Sequence, residues 1–440
     1  MSDAPISPGL HLASLGGWIA LAVIAWLAGG CRRPIAIRTV VGGTFVVFTF
    51  GAIVFLVPQA RTVLVTINAL VIAGLDAGRA GVIFVFGPLA MSPGETTAAG
   101  ERSIGFVLAT QVLPAVVFFA SMTALAYRLG IVQPIVRLFA RVFRWIAGLS
   151  GAEALGGSAN LFVGVESGLT VRPYLARMTR SELLLLLTCG MSTVASTTLA
   201  IYVFLLRDLF PLIAGHLISA SVLSIPTAAV VAKLMLPEDG EPETLGGVPA
   251  DLGEPDRAPW LAVLSRGGLD GIRLAAGIAA LLIAVLGLVR LLDVALTAAT
   301  MPVAEALGGP WTVERILGWL FTPFAWLLGV ESADVADAAR VLGRRAVLTE
   351  IVAFQDLAAL AADGAVSRRT LLILSYALCG FAHVASVGVF VGGFGALAPE
   401  RRNDLAALGP KALLAATLAT LMTGSLAGVF WRGGGGLLGL

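Results

Sequence analysis

The 440-residue chain carries 29 basic and 27 acidic residues, a charged fraction of 13% beside 58% hydrophobic residues. Soluble domains hold roughly 25% charge, so the water-facing shell that a cytosolic enzyme of this size needs is missing. Acids and bases nearly cancel, which leaves no field suited to nucleic acid.

In chain order, full-length apolar runs lie at 12–28, 35–57, 104–127, 183–206, 209–235, 274–296, 371–398 and 412–431. Each approaches the roughly 20 residues that cross a hydrocarbon core of about 30 Å. Runs at 62–75, 80–90, 131–165, 312–330 and 346–362 are too short or too polar for one crossing. Such segments persist at membrane depth only inside protein or beside a cavity. The first run follows an acidic lead with Asp3 and no Lys or Arg, unlike a secretory signal, and reads as a retained helix. Arg32, Arg33 and Arg38 put the first connector in the cytoplasm and the N-terminus outside, and Arg128, Arg137, Arg141 and Arg144 follow the same rule. Residues 237–256 hold seven acids, four prolines, four glycines and no base, a solvated loop that divides the chain. Cys31, Cys189 and Cys379 lack zinc or disulfide spacing and read as small apolar residues.

The expected fold is an all-α polytopic membrane protein of about eight transmembrane helices plus two re-entrant hairpins, built as inverted repeats with broken helices. Residues 1–130 hold N-terminal helices and a scaffold or oligomerisation region. Residues 131–236 hold the first hairpin, a broken helix and a following span, 237–257 the acidic loop, 258–300 a scaffold helix, and 301–440 the second hairpin, broken helix and last span.

The repeat rests on one pattern, C-G-x-x-x-V-A-S. It begins at Cys189 and again at Cys379, with Arg180 and Arg369 standing nine and ten residues upstream. Each block is an apolar helix interrupted by Gly with Ser, Thr or His. Gly lowers helix stability by about 1 kcal/mol relative to Ala, and hydroxyls can bond freed carbonyls. Two halves with interrupted helices suggest a secondary transporter. Gly164-Val165-Glu166-Ser167 and Gly329-Val330-Glu331-Ser332 also match, but at another offset, and read as coincidence.

Ionisable groups at membrane depth mark functional sites. Asn160 sits between Gly157 and Gly164, where its amide oxygen and freed carbonyls could hold Na⁺; a turn or helix cap would explain it equally. Glu166 and Glu350 could accept hydrogen bonds from a hydroxylated substrate, or lie at the interface and reach for water. His383, in the second interrupted helix, could donate to a substrate hydroxyl or carry a proton, or be a core histidine. Asp356 reads as structural, and His11 and His216 receive no role. HExxH, GxSxG and GxxxxGK[ST] are absent, so common hydrolase and ATP-driven readings lack support.

These residues resemble the concentrative nucleoside transporter family. The resemblance is carried by Asn160-Leu161-Phe162-Val163-Gly164-Val165-Glu166, by Arg172-Pro173-Tyr174, and by Met178-Thr179-Arg180-Ser181-Glu182-Leu183. Cys189-Gly190-Met191-Ser192-Thr193-Val194-Ala195, Val347-Leu348-Thr349-Glu350-Ile351-Val352-Ala353-Phe354 and Tyr376-Ala377-Leu378-Cys379-Gly380-Phe381-Ala382-His383 extend it. Ile316–Phe321 and Trp326–Val330 look like the family's second hairpin. The resemblance runs from about residue 35 to the C-terminus.

It implies a multi-pass homotrimer in the plasma membrane, the inner membrane of a bacterium, that takes up nucleosides driven by a sodium gradient. The sodium positions correspond to Asn160, Val163, Thr193 and Val194. The substrate positions correspond to Val165, Glu166, Thr198, Glu350, Phe381, His383 and Ser386. No enzymatic activity and no nucleic-acid partner is implied. The first-hairpin tip is one residue shorter than the family's, so Val165 stands for a Gln and a Thr. His383 replaces an Asn, and Thr349 replaces another. A changed base preference follows, because unpaired buried polar groups are costly. The alternative is a proton-coupled transporter of nucleosides or another small hydroxylated substrate, with His383 or Glu166 in the coupling.

Overall fold

The computed structural model describes residues 7–31, 35–92, 95–96, 102–245, 247, 258–303 and 309–433. Among these the regular elements are helices, apart from a single antiparallel bridge between Thr96 and Arg102. The chain opens with α1 (Pro8–Ala28), α2 (Ile37–Leu56) and α3 (Pro58–Phe86). Pro8 and Pro58 occupy first turns, where a missing N–H costs nothing. The runs 62–75 and 80–90, expected as separate short segments, are joined in one continuous helix, α3, with the last four residues forming the 3₁₀ turn Gly87–Ala90. The polar residues that interrupt their hydropathy are satisfied sideways. Asn68 donates to the Pro211 carbonyl at 2.8 Å, Asp76 pairs with Arg207 at 3.2 Å, and Arg79 pairs with Glu95.

The short α4 (Leu108–Gln111) leads into α5 (Leu113–Arg128). In α6 (Val132–Ala147) the apolar Val132, Val136, Ala140, Phe143 and Ala147 are buried at helical spacing while Arg137 and Arg141 are exposed, the pattern of an interfacial helix. The first hairpin follows as α7 (Gly151–Ala159) and α8 (Gly168–Leu175), with its tip at 160–167. Next comes a helix in two halves, α9 (Arg180–Ser192) and α10 (Ser196–Leu206), and then α11 (Ile213–Met235).

After the acidic loop runs α12 (Trp260–Thr300), whose 41 residues make about 60 Å at 1.5 Å per residue. It packs on α5 through Gly267 and Gly271, where an added Cβ would lie 2.9 Å from Ser121 Cα and 2.6 Å from Val117 Cα. Small residues of this kind let membrane helices approach closely. The second half contains α13 (Val313–Leu327), α14 (Val335–Val347), α15 (Glu350–Ala362), α16 (Arg368–Ala377), α17 (Val384–Leu397) and α18 (Arg402–Phe430).

The sequence of interfacial helix, hairpin, broken helix and span therefore occurs twice, as α6 to α11 and α13 to α18. One expectation is corrected. Ile316–Phe321 lies within α13, and Trp326–Val330 is the end of that helix and its following turn, so they are not two hairpin limbs. The second hairpin is α14 and α15, folded tightly at Leu348 and Thr349. Gly329–Ser332 lies in the α13–α14 link rather than at a hairpin tip, which agrees with treating its match to Gly164–Ser167 as coincidence.

The repeats are inverted. The first hairpin opens beside the C-terminal end of α11, where Lys233 contacts Glu153 at 2.6 Å and Ser150 donates to Glu182 at 2.6 Å. That end also holds the α1–α2 connector, since a Cβ on Gly29 would touch Met235. The second hairpin opens at the opposite end of α1, where Ser14 donates to the Leu328 carbonyl at 2.8 Å and Arg369 donates to Leu10 and Ser14. In both repeats the start of the hairpin is bonded to the start of the broken helix: Ser150 to Glu182, and Asp334 to the Ser367 N–H at 2.9 Å.

Eight helical segments among the described residues are long and apolar enough to cross a membrane. Residues 371–398, expected as a full span, are instead the two halves α16 and α17. Cys189 and Cys379 are buried as small apolar residues, whereas Cys31 is exposed on its connector.

Candidate substrate and ion site

The two helix breaks lie together in the core. An added Cβ on Gly380, in the second break, would sit 2.8 Å from the Ser192 carbonyl at the first. Around them, half-helix ends present opposite partial charges, positive at N-termini and negative at C-termini.

The N-terminal ends gather on a carboxylate. Glu350 is the first residue of α15 and His383 is the N-cap of α17. Glu350 Oε2 lies 3.1 Å from His383 Nε2, and Glu350 Oε1 accepts from the Tyr202 hydroxyl at 2.8 Å. Tyr202 is fixed in turn by stacking on Phe354, with ring centroids 4.4 Å apart. Ser386 donates to the His383 carbonyl at 2.6 Å and steadies the first turn of α17. Glu350 and His383 are buried, and His383 Nδ1 has no hydrogen-bond partner among the described residues. A carboxylate here can accept further hydrogen bonds from hydroxyl groups, and the free imidazole nitrogen can pair with another polar atom.

The C-terminal end of α9 gathers neutral oxygens. The Cys189 carbonyl accepts from Thr193 Oγ1 at 2.9 Å and from Asn160 Nδ2 at 3.3 Å. Asn160 also bonds Thr193 Oγ1, and its Oδ1 accepts from Ser167 at 3.2 Å. Ser196 donates to the Phe162 carbonyl at 2.8 Å, which ties the hairpin tip to α10. No group of three or more His, Cys, Asp or Glu among the described residues could hold a transition metal. Uncharged oxygens at a half-helix C-terminus suit a hard monovalent cation.

A cavity of about 760 Å³ opens on the Glu350–His383 pair and on the hairpin-tip residues Val163 and Gly164 next to the oxygen cluster. Its wall includes Val163, Val165, Thr198, Glu350, Phe381, His383 and Ser386. The volume suits a drug-sized or smaller ligand. Val165 packs on α17 at Gly393 and gives this wall an apolar face. The cavity extends to Asp270 and Arg273, an exposed pair 3.0 Å apart in the N-terminal part of α12.

Sequence reasoning named seven residues of this wall as site residues and none of its α5 and α12 side. Asn160, Thr193 and Val194 are buried rather than lining the cavity, and Val194 O accepts from Ser221 at 3.5 Å. Glu166 lies in the short 3₁₀ turn Val165–Ser167, and its side chain is outside the described residues. Asp356 pairs with Arg344 at 3.1 Å, and His216 meets the Tyr376 hydroxyl at 2.9 Å, both structural contacts. Tyr202 and Ser167, which bond Glu350 and Asn160, were among the residues that escaped sequence reasoning. Tyr202 had a signal, being one of four tyrosines and set in an apolar run directly after the first break.

Three family models match in order. The description "Na+ dependent nucleoside transporter N-terminus" covers residues 16–89, "Nucleoside recognition" covers 109–208, and "Na+ dependent nucleoside transporter C-terminus" covers 216–428. The nucleoside permease NupC of Helicobacter pylori is 32% identical, over 95% of this chain and 97% of that protein. The chain belongs to the concentrative nucleoside transporter family. It is a nucleoside transporter of a sodium-dependent, multi-pass plasma-membrane family, and that family is not enzymatic. An uncharacterized transporter of Haemophilus influenzae is 35% identical over 95% of this transporter and 97% of its own length. The solved structure of CNTnw in an inward-facing substrate-bound state superposes with a TM-score of 0.85 at 34% identity, covering 96% of this transporter and 98% of that chain.

Proposed function

We propose that this transporter is a Na⁺-driven symporter that carries nucleosides or close analogues into the cell. The observation that carries the reading is the cavity between the two helix breaks, with Glu350 and His383 on its wall, Tyr202 bonded to Glu350 behind them, and the Asn160–Thr193 oxygen cluster buried beside the hairpin tip. Glu350 and His383 bind sugar hydroxyls, with Ser386 setting the start of α17. Phe381 and Thr198 border the sugar and base, and Val165 offers the base an apolar contact where the family has polar ones. Glu166 is assigned to the substrate by the resemblance of the hairpin-tip sequence alone. Na⁺, the co-transported ion, takes oxygens of Asn160, Val163, Thr193 and Val194. Its binding orders the first-hairpin tip, and Val163 and Val165 of that tip form part of the substrate wall.

Substrate and ion together then favour occluded conformations, and their differential affinity drives alternating access. The protein acts as a homotrimer. Large parts of α3 and α12 stay uncovered in the single chain, with Phe84 and Ile283 among the most exposed apolar residues, and these faces are available to lipid and to sister protomers. A second reading, proton coupling, is favoured by the 3.1 Å approach of His383 to Glu350. Uptake into proteoliposomes under an inward Na⁺ gradient tests the choice. Na⁺-dependent accumulation supports symport with sodium, and accumulation that follows a pH gradient without Na⁺ supports the proton reading.

A further inference from the structure

Arg345 is the largest fully buried side chain among the described residues; the carboxylate that acts on it electrostatically is Glu350, but its hydrogen bonds are made outside the cavity wall. It stands in the last turn of α14, the first limb of the second hairpin. Its Nη1 donates to the carbonyl of Ala377, the last residue of α16, and to Thr420 Oγ1 of α18 at 2.8 Å. Nε and Nη2 have no hydrogen-bond partner among the described residues. Burying a guanidinium costs several kcal/mol, offset here by the two accepting oxygens and the attraction of Glu350.

The inverted repeat supplies the comparison. In the first repeat the C-terminal end of α9 faces the Asn160–Thr193 cluster, and the last turn of α7 carries Gly156, Gly157 and Ser158. There α7 touches α9 directly, since a Cβ on Gly157 would lie 3.4 Å from Cys189 Sγ. In the second repeat the corresponding half-helix, α16, ends in the same negative partial charge. The last turn of the matching limb there holds Arg344 and Arg345, and Arg345 reaches the α16 terminus. Thr420 links this contact to the break itself, because its methyl group would lie 2.7 Å from a Cβ on Gly380.

We infer that Arg345 is a tethered cation that occupies the negative end of the second broken helix, the place where the first repeat recruits a free ion. It is a positioning residue: it fixes the end of α16, and thereby the Leu378–His383 segment that presents His383 to Glu350. The consequence for stoichiometry, a single Na⁺ carried per substrate, rests on the sodium reading above.

The test is a flux measurement on the reconstituted full-length transporter, with ²²Na⁺ and tritiated uridine as probes. The wild type should carry sodium and uridine in a ratio of about one, with a Na⁺ activation curve of Hill coefficient near one. Arg345→Lys keeps a positive donor and should retain a substantial part of uptake. Arg345→Met should lose at least about tenfold, equivalent to about 1.4 kcal/mol, while Na⁺ still raises its melting temperature through the untouched first repeat. A wild-type ratio of two, or an Arg345→Met variant that transports like the wild type, overturns the inference. If sodium neither stimulates wild-type uptake nor raises its melting temperature, the sodium reading fails instead. The contrast between Lys and Met then still decides the role of Arg345, because the α16 terminus needs its cation whichever ion drives transport.

Discussion

Replacing Glu350 by Gln removes one charge and almost no volume. In the structure the carboxylate has two protein neighbours, the Tyr202 hydroxyl at 2.8 Å and His383 Nε2 at 3.1 Å. A phenol and an imidazole can each reverse donor and acceptor roles toward an amide, so the fold should persist. The loss falls on the substrate. A hydrogen bond to a charged acceptor is worth about 1.5–3 kcal/mol and one to a neutral acceptor about 0.5–1.5. For two sugar hydroxyls the difference is about 2–3 kcal/mol, or about 30- to 150-fold in Kd. Calorimetric titration of the purified variant with uridine, in saturating Na⁺, reads this directly. Size-exclusion with light scattering checks that the assembly is intact. A uridine affinity within about threefold of wild type would refute the role of Glu350 in sugar recognition.

Asn160→Ala removes the side chain that links Cys189, Thr193 and Ser167, and Na⁺ stimulation of uptake in proteoliposomes should disappear; persistence of the stimulation would remove Asn160 from the ion site. Lys233→Met leaves Glu153 and Glu238 without their cation at the base of the first hairpin. It should destabilise the protein by about 3–5 kcal/mol, seen as a lower melting temperature in detergent, and adding Glu153→Gln should recover part of the loss. Gly380→Ala drives a Cβ to 2.7 Å from Thr420 and 2.8 Å from Ser192 O, so it should lower the melting temperature and uptake together. Gly388→Ala, whose Cβ meets nothing within 4 Å, should be close to neutral, and equal effects from the two would contradict the close crossing of the breaks.

Much of this was legible in the sequence because the membrane simplifies the problem. Where backbone groups must be satisfied internally, an apolar run of about 20 residues can be little other than a spanning helix. A run interrupted by Cys189-Gly190 or Cys379-Gly380 stands out against that background; the helix breaks at Cys379-Gly380 itself, whereas α9 continues through Cys189-Gly190 and breaks three residues later, at 193–195. What remained hidden depended on lateral contacts. Asn68, Asp76 and Arg79 depress the hydropathy of α3, yet each finds a partner outside that helix, and the helix continues. The second hairpin was misplaced onto α13 because amphipathic α13 and buried α14 have similar lengths, and only packing distinguishes an interfacial helix from a hairpin limb. Tyr202 and Arg345 were missed for the same reason. Their partners, Glu350 and Ala377, lie 148 and 32 residues away, distances at which no local pattern operates.

Sodium-driven nucleoside uptake is tested most directly by one comparison in proteoliposomes containing the purified transporter. Tritiated uridine is offered under an inward Na⁺ gradient at uniform pH, and separately under an inward proton gradient of equal size without Na⁺. Uridine should accumulate above its external concentration in the first case only, and Asn160→Ala should abolish that accumulation. Equal accumulation in the absence of sodium, or none in either condition with protein that still binds uridine, would contradict Na⁺-driven nucleoside uptake.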